Sequence, residues 1–148
     1  MRVVVYSPAD CVAGDLLRRA LRSVKAVKNM EFQDTIAGFS EALRQAPGEV
    51  AVAVVLVAGR RELLELLAVR EIFADLPMIL VLPDGAEQTI GLGHRLNPRF
   101  VSFSHGELSH YADVLAVLVR MLERAEDGGE FGRVAEGEIR TAACGRCA

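Results

Sequence analysis

The 148-residue sequence has no tryptophan, only three cysteines and no long hydrophobic run. So few cysteines, and an odd number of them, exclude a disulfide framework, and we expect reduced thiols. The longest unbroken apolar run covers residues 50–58, less than half of the roughly 20 residues that a membrane-spanning helix needs. The first ten residues do not contain the apolar region of a secretory signal. These absences predict a cytoplasmic protein that does not enter a membrane.

An excess of charge of one sign is also missing. The chain has 17 basic and 20 acidic side chains, for a net charge of −3. Nucleic-acid binding depends on a basic surface that releases counterions from phosphates, so we expect no nucleic-acid partner. Hydrophobic residues make up 51% of the chain and charged residues 25%, a composition typical of a globular domain.

Strand-like and helix-like periodicity alternate along the first part of the chain. Short β-branched or apolar runs predict strands over residues 2–7, 50–58, 77–82 and 100–103, and alternation of side-chain character over residues 30–36 predicts an edge strand. Apolar residues at helical spacing predict helices over residues 16–24, 38–46, 62–73, 87–96 and 107–124, of which the fourth should be weak because it contains Gly91 and Gly93. This alternation predicts a three-layer α/β fold, a doubly wound parallel sheet in the flavodoxin-like strand order 2-1-3-4-5.

The composition changes after residue 125. Residues 1–125 are predicted to form the domain, and residues 126–148, rich in glycine and charge, a flexible tail. The tail contains Cys144-Gly-Arg-Cys147. We favour an inert role for this CxxC, since a closed metal site needs further ligands. Two alternatives stay open, namely that Cys144 and Cys147 supply half of a zinc site or that they cycle as a dithiol.

Three stretches, in this order of elements, carry a family resemblance. RVVVYS at residues 2–7, LLELL at residues 63–67 and LPMILVL at residues 76–82 resemble the response-regulator receiver family, over about residues 1–125. The resemblance implies an aspartate that accepts a phosphoryl group at the end of the third strand. It also implies an acidic pair for Mg²⁺ after the first strand, a hydroxyl after the fourth and a lysine after the fifth.

The positions that would carry this chemistry hold other residues. Tyr6, Ser7 and Pro8 stand near the acidic pair, and Asp10, about one turn later, is the closest acid; the other three positions fall at Ala58, near Leu82 and near Phe103. Without a carboxylate nucleophile or a compact magnesium site, aspartyl phosphorylation lacks its reacting groups. The sequence therefore predicts a pseudo-receiver, a non-enzymatic protein–protein interaction module in signalling or regulation.

A second reading uses the polar residues near the strand ends. Asp10, Asp84 and His105 could form an acid/base or metal cluster, and Arg60 and Arg61 could bind an anion. We favour turn, cap and surface roles for all five. The alternative function is a small-ligand or metal-responsive protein that uses this crevice or the CxxC. An enzyme is disfavoured, because no nucleophile–base pair stands at a recognisable spacing.

The last predicted helix is more apolar than a peripheral helix needs to be. Its apolar residues cover about half of its circumference, and Val117 lies outside that arc. Leu64 and Ile72 lie similarly off the main apolar face of the third helix. Excess apolar surface predicts a homodimer, with a broader core or a tail that folds back as the alternative. The residues predicted to contact the partner are Tyr111, Val114, Val117, Leu118 and Met121.

Overall fold

A computed structural model describes residues 2–9, 11–24, 29–45, 49–104 and 110–126 of the chain. The strands are β1 (Arg2–Tyr6), β2 (Asn29–Gln33), β3 (Val50–Leu56), β4 (Met78–Leu82) and β5 (Phe100–Phe103). The helices are α1 (Val12–Arg22), α2 (Ile36–Arg44), α3 (Arg60–Ala68), α4 (Glu87–His94) and α5 (His110–Glu126). A short 3-10 helix, Arg70–Phe73, follows α3.

The strands form one parallel sheet in the order β2-β1-β3-β4-β5, which confirms the predicted fold class and strand order. Val5 of β1 lies opposite Phe32 of β2 on one side and Val54 of β3 on the other. Both faces of the three central strands are covered by helices, which is why β3 and β4 read as continuous apolar runs without alternation. Because all five strands are parallel, their carboxyl ends lie at the same edge of the sheet.

Two cores lie on opposite faces of the sheet. Alternate residues of each strand supply them, so that Val4 belongs to the core beneath α2, α3 and α4, and Val5 to the core beneath α1 and α5. The aromatic cluster of Tyr6, Phe39 and Phe73 belongs to the first core. This division places α1 and α5 side by side, with the Tyr111 hydroxyl donating to the carbonyl oxygen of Ala13 at 3.1 Å.

Helix ends differ from the predicted ones for local reasons. α2 begins at Ile36, because the Thr35 side chain accepts a hydrogen bond from the Gly38 amide at 3.0 Å and caps the helix. The alternation over residues 30–36 thus includes a cap and a helical residue as well as a strand. The predicted third helix is interrupted at Val69, whose φ of −114° and ψ of 18° are not helical, and continues as the 3-10 helix.

The residues of α5 that are predicted to contact a partner lie on the side of the helix that faces the core. Tyr111, Val114, Val117, Leu118 and Met121 are all buried in the core that α5 shares with α1, at most 3% exposed. Because α5 packs against both the sheet and α1, a wide apolar arc fills the core without any second copy. Among the described residues, Val12 and Leu64 are the large hydrophobic side chains with high exposure. The homodimer itself stays a prediction.

None of the helices in the described ranges combines the length and the apolarity that crossing a bilayer requires.

The two glycines of α4 give a matched pair of stability predictions. A Cβ at Gly91 would meet nothing within 4 Å, whereas one at Gly93 would lie 3.1–3.2 Å from the methyl groups of Leu80 and Leu82. Gly91→Ala is therefore expected to stabilise the protein by about 0.5–1 kcal/mol, because alanine favours the helix. Gly93→Ala should lose that gain, because buried leucines that must shift cost stability. Urea unfolding of both variants measures the difference, and equal gains would show that α4 does not pack this closely on β4.

Candidate functional site

The carboxyl ends of the strands bring the predicted site positions to one edge of the sheet. Backbone hydrogen bonds continue past the strand ends, from the Ser7 amide to the Gln33 carbonyl oxygen at 3.0 Å and from the Val57 amide to the Val81 carbonyl oxygen at 2.9 Å. Ser7, Ala58, Leu82 and Phe103 accordingly share this edge. Asp10, His105, Cys144 and Cys147 lie outside the described residues.

The first position, Ser7, is held by an arginine. Ser7 is fully buried. Its Oγ accepts a hydrogen bond from Arg18 Nε at 2.9 Å, and its carbonyl oxygen accepts one from Arg18 Nη2 at 3.4 Å. Near the position where a receiver keeps its magnesium-binding acids, the chain thus has a neutral hydroxyl and a cationic side chain. A divalent cation would be repelled by this guanidinium.

The second feature of the edge is a carboxylate bridge formed by Tyr6, Ala58 and Glu62, which we call the Glu62 bridge. The Ala58 amide donates to Glu62 Oε1 at 2.7 Å, and the Tyr6 hydroxyl donates to Glu62 Oε2. Burial, and then the hydrogen bond to Glu62, raise the pKa of Tyr6 above its ordinary value, so the hydroxyl remains a donor. The bridge joins the end of β1 to the loop after β3 and to the first turn of α3.

The position of Glu62 follows from the start of α3. Gly59 is the N-cap of this helix and makes no side-chain cap, and Glu62 is the acid of the first turn. A glutamate three residues after an N-cap can reach back to an amide that the helix leaves unpaired, and its charge suits the helix N-terminus. Here it binds the amide of Ala58, one residue before the cap.

The rest of the edge has few reactive groups among the described residues. Ala58 is exposed but presents only a methyl group. Leu82 is fully buried, Phe103 is 9% exposed, and the Ser104 hydroxyl lies 3.3 Å from the Leu82 carbonyl oxygen, to which it donates. Within the described ranges, no three or more histidine, cysteine, aspartate or glutamate side chains group in a way that could hold a metal ion.

The alternative site residues are placed as surface and turn residues where the structure describes them. Arg60 donates to the Gln88 side-chain oxygen and so links α3 to α4, while Arg61 is exposed. Asp84 Oδ1 accepts the Ala86 amide at 2.9 Å, an arrangement typical of a turn. These contacts fit the interpretation of Arg60 and Arg61 as surface residues and of Asp84 as a turn residue.

A cavity of about 250 Å³ lies at the other end of the strands, near the amino ends of β3 and β4. Apolar residues, among them Leu43, Ile72 and Pro77, line it together with Glu71 and Asp75. This cavity is remote from Ala58, so it does not correspond to the ligand crevice expected at the carboxyl ends of the strands.

Sequence reasoning missed Glu62 and Arg18 as site residues. Tyr6 and Glu62 are 56 residues apart, so their contact exists only once β1 and β3 are neighbours. The spacing of Glu62 from Gly59 was a usable signal for the capping half of the bridge. Arg18 carried no such signal, because one arginine among three in α1 looks like any other on a helix surface.

A doubly wound, five-stranded parallel sheet in the order β2-β1-β3-β4-β5 is a receiver-like fold. No family model and no curated protein matches the sequence. Solved structures do match, and they show that the fold is that of a response-regulator receiver domain.

One similar structure is the isolated receiver domain of RcsB from Salmonella enterica serovar Typhimurium, determined in the presence of the phosphomimetic BeF₃⁻. It shares 16% sequence identity at a TM-score of 0.57, over 81% of this chain and 88% of that one. A second is the RcsB response regulator of Salmonella typhimurium, described in terms of conformational dynamism for DNA interaction. It shares 15% identity at a TM-score of 0.52, over 93% of this chain and 66% of that one.

Proposed function

We propose that this protein is a pseudo-receiver that accepts no phosphoryl group and acts in signalling or regulation by binding a partner protein. The Glu62 bridge is the observation that carries the proposal. The strand that should end in a phosphate-accepting aspartate is followed by Ala58, and the nearby carboxylate of Glu62 is bound through both oxygens to protein donors. A carboxylate engaged in this way is a poor nucleophile and a poor metal ligand.

The neighbouring positions support the same conclusion. The guanidinium at Ser7 disfavours Mg²⁺, which prefers carboxylate ligands. Phe103, at the position where a lysine would neutralise phosphoryl charge, is apolar and 9% exposed. Phosphoryl transfer depends on positioned charges, so the loss of one group alone would already slow it. The same edge can still hold a fixed surface for a partner.

The chemical half of the proposal is tested with acetyl phosphate and Mg²⁺. We expect no phosphoryl adduct by intact-mass spectrometry, whereas a receiver domain with an intact acidic site, treated in parallel, should be modified. Ala58→Asp is expected to stay unmodified too, because Ser7 and Phe103 still leave the metal and the phosphoryl charge without partners. An acid-labile adduct on the native chain would reject the proposal.

The interaction half is tested by affinity capture with the full chain from native cells, followed by reconstitution of the complex from purified components. The dissociation constant for the reconstituted partner is expected to be the same with and without acetyl phosphate. A complex that forms only after phosphodonor treatment would show a conventional receiver switch instead.

A further inference from the structure

Two arginines of α1 lie over one aromatic ring of β2, the outermost strand of the described sheet. The guanidinium carbon of Arg18 is 5.8 Å from the centre of the Phe32 ring, and that of Arg22 is 5.4 Å from it. Both distances allow a cation–π attraction. Arg18 is half-buried, while Arg22, in the last turn of α1, is exposed. We call Arg18, Arg22 and Phe32 the arginine–phenylalanine surface.

No carboxylate of the described residues forms an ion pair with either arginine. Glu31 lies next to Phe32 in sequence, but β-strand alternation places it on the opposite face of the sheet, where it pairs with Arg2 at 3.4 Å. Like charges four residues apart on a helix repel each other. Phe32 thus holds together two charges that nothing in the described part of the chain neutralises.

The free donors of this surface suit a carboxylate. Arg18 uses Nε and Nη2 on Ser7, which fixes the orientation of its guanidinium. Arg22 makes no hydrogen bond to a described residue, so its planar guanidinium can donate two parallel hydrogen bonds to a carboxylate. β2 is the outermost strand of the described sheet, and its outer backbone edge has no strand partner there. An extended segment could lie along this edge.

The charge around the surface favours a protein segment over a nucleic acid. A phosphate backbone binds to a broad basic surface, but here exposed Asp34 directly follows β2, and the whole chain carries a net charge of −3. A short acidic segment needs only the two guanidinium groups. Its carboxylates also match the bidentate geometry of arginine.

We propose that the arginine–phenylalanine surface docks an acidic segment of a partner protein, extended beside β2. Arg22 binds one carboxylate of the segment and Arg18 a second, while the Phe32 ring holds both guanidinium groups in place. This inference rests on the proposed function as an interaction module and adds the place and the chemistry of the contact.

The test measures binding of a fluorescein-labelled hexaglutamate peptide to the full chain by fluorescence anisotropy at low ionic strength. Arg22→Gln is expected to weaken binding by at least about fivefold. Arg44→Gln is the matched control, because Arg44 is also an exposed arginine in the last turn of a helix, and it should change the affinity by less than about twofold. Equal weakening by both variants would mean that only net charge matters, and would overturn the proposal.

Two further variants separate docking from folding. Arg22→Lys keeps the charge and removes the planar guanidinium that can donate two parallel hydrogen bonds. Phe32→Leu keeps an apolar side chain and removes the aromatic ring. Both variants should weaken peptide binding, while the circular dichroism spectrum and the Tm stay close to those of the native chain. Native affinity in both variants would overturn the proposal.

Glu130→Gln and Glu136→Gln test whether the chain's own acidic segment occupies the surface. Tighter peptide binding by these variants would make that segment the occupant and would overturn the proposal as well.

A phosphate probe distinguishes the class of partner. Fluorescein-labelled oligothymidylate should bind more weakly than hexaglutamate at equal charge, and tighter, Arg22-dependent binding would reject a protein segment as the occupant. These outcomes are independent of the acetyl phosphate experiment. Loss of the Arg22 effect rejects the docking surface alone, whereas a phosphoryl adduct rejects the proposed function.

Discussion

The Phe39→Ala variant is expected to lose about 3–5 kcal/mol of unfolding free energy. Phe39 of α2 is fully buried, with its ring centre 5.9 Å from that of Tyr6 and 6.1 Å from that of Phe73. Truncation removes the middle ring of three and leaves a cavity between β1, α2 and the 3-10 helix. Both the lost burial and the unfilled cavity contribute to the cost, which is large beside a typical total of about 5–15 kcal/mol.

Chemical denaturation followed by circular dichroism measures this loss. Phe39→Leu, which keeps most of the apolar volume, should cost about 1.5 kcal/mol or less. Leu64→Ala serves as the surface control, because Leu64 is 56% exposed, and should stay within about 0.5 kcal/mol of the native chain. A Phe39→Ala loss no greater than that of the leucine variant would show that the three rings are not packed as described.

The fold is also expected to lose stability steeply above about pH 10. Burial, with a smaller electrostatic contribution from Cys11, raises the pKa of Tyr111 to about 12, and the pKa of Tyr6 is raised by burial and by Glu62. Tyrosines of the unfolded chain ionise near pH 10. Above that pH the unfolded chain has released protons that the folded chain retains, so unfolding becomes more favourable. The stabilisation is complete below about pH 10 and falls by up to about 1.4 kcal/mol per pH unit for each tyrosine above it.

Tyrosinate absorbance provides a direct measurement, because the chain has two tyrosines and no tryptophan. At about pH 11 the folded protein should show only a small fraction of the tyrosinate signal that it shows in guanidinium chloride. Tyr6→Phe and Tyr111→Phe should each make the decline of stability with pH less steep. Two tyrosines that ionise near pH 10 in the folded chain would rule out the burial of both hydroxyls.

The fold could be predicted because its signals are local and repeated. Four strands are short apolar runs, β2 alternates and the helices are periodic, so their alternation predicts a doubly wound parallel sheet, for which the flavodoxin-like strand order is a common one. The ends were less predictable, since Thr35 is compatible with a strand in the alternating pattern but acts as a cap in the structure. Whether an apolar helix face meets a sheet, a helix or a partner is not encoded in its periodicity. The helical periodicity places Val117 outside the apolar arc of α5, and yet Val117 is buried.

The site was predictable as a set of missing groups and not as a set of contacts. The order of the strands along the chain was enough to show that Ser7 and Ala58 stand where a receiver has its reacting acids. The groups that occupy the edge come from other elements, Arg18 from α1 and Glu62 from α3. Their contacts depend on side-chain directions that a single sequence does not contain. The same holds for Phe32, whose two arginine neighbours come from a helix that precedes β2 in the chain.

The strand order has a consequence for synthesis on the ribosome. The strands that follow β2 in the chain all add on the side of β1 away from β2. β3 pairs with β1, β4 with β3 and β5 with β4. A nascent chain can therefore lay down the sheet in the order of translation. Between the emergence of β3 and that of β4, the growing sheet ends in VAVAVVL, an uncharged edge to which a second nascent chain could add. Slow translation during the interval in which β3 has emerged and β4 has not would prolong this exposure, so aggregation during translation should depend on the rate of translation in that interval.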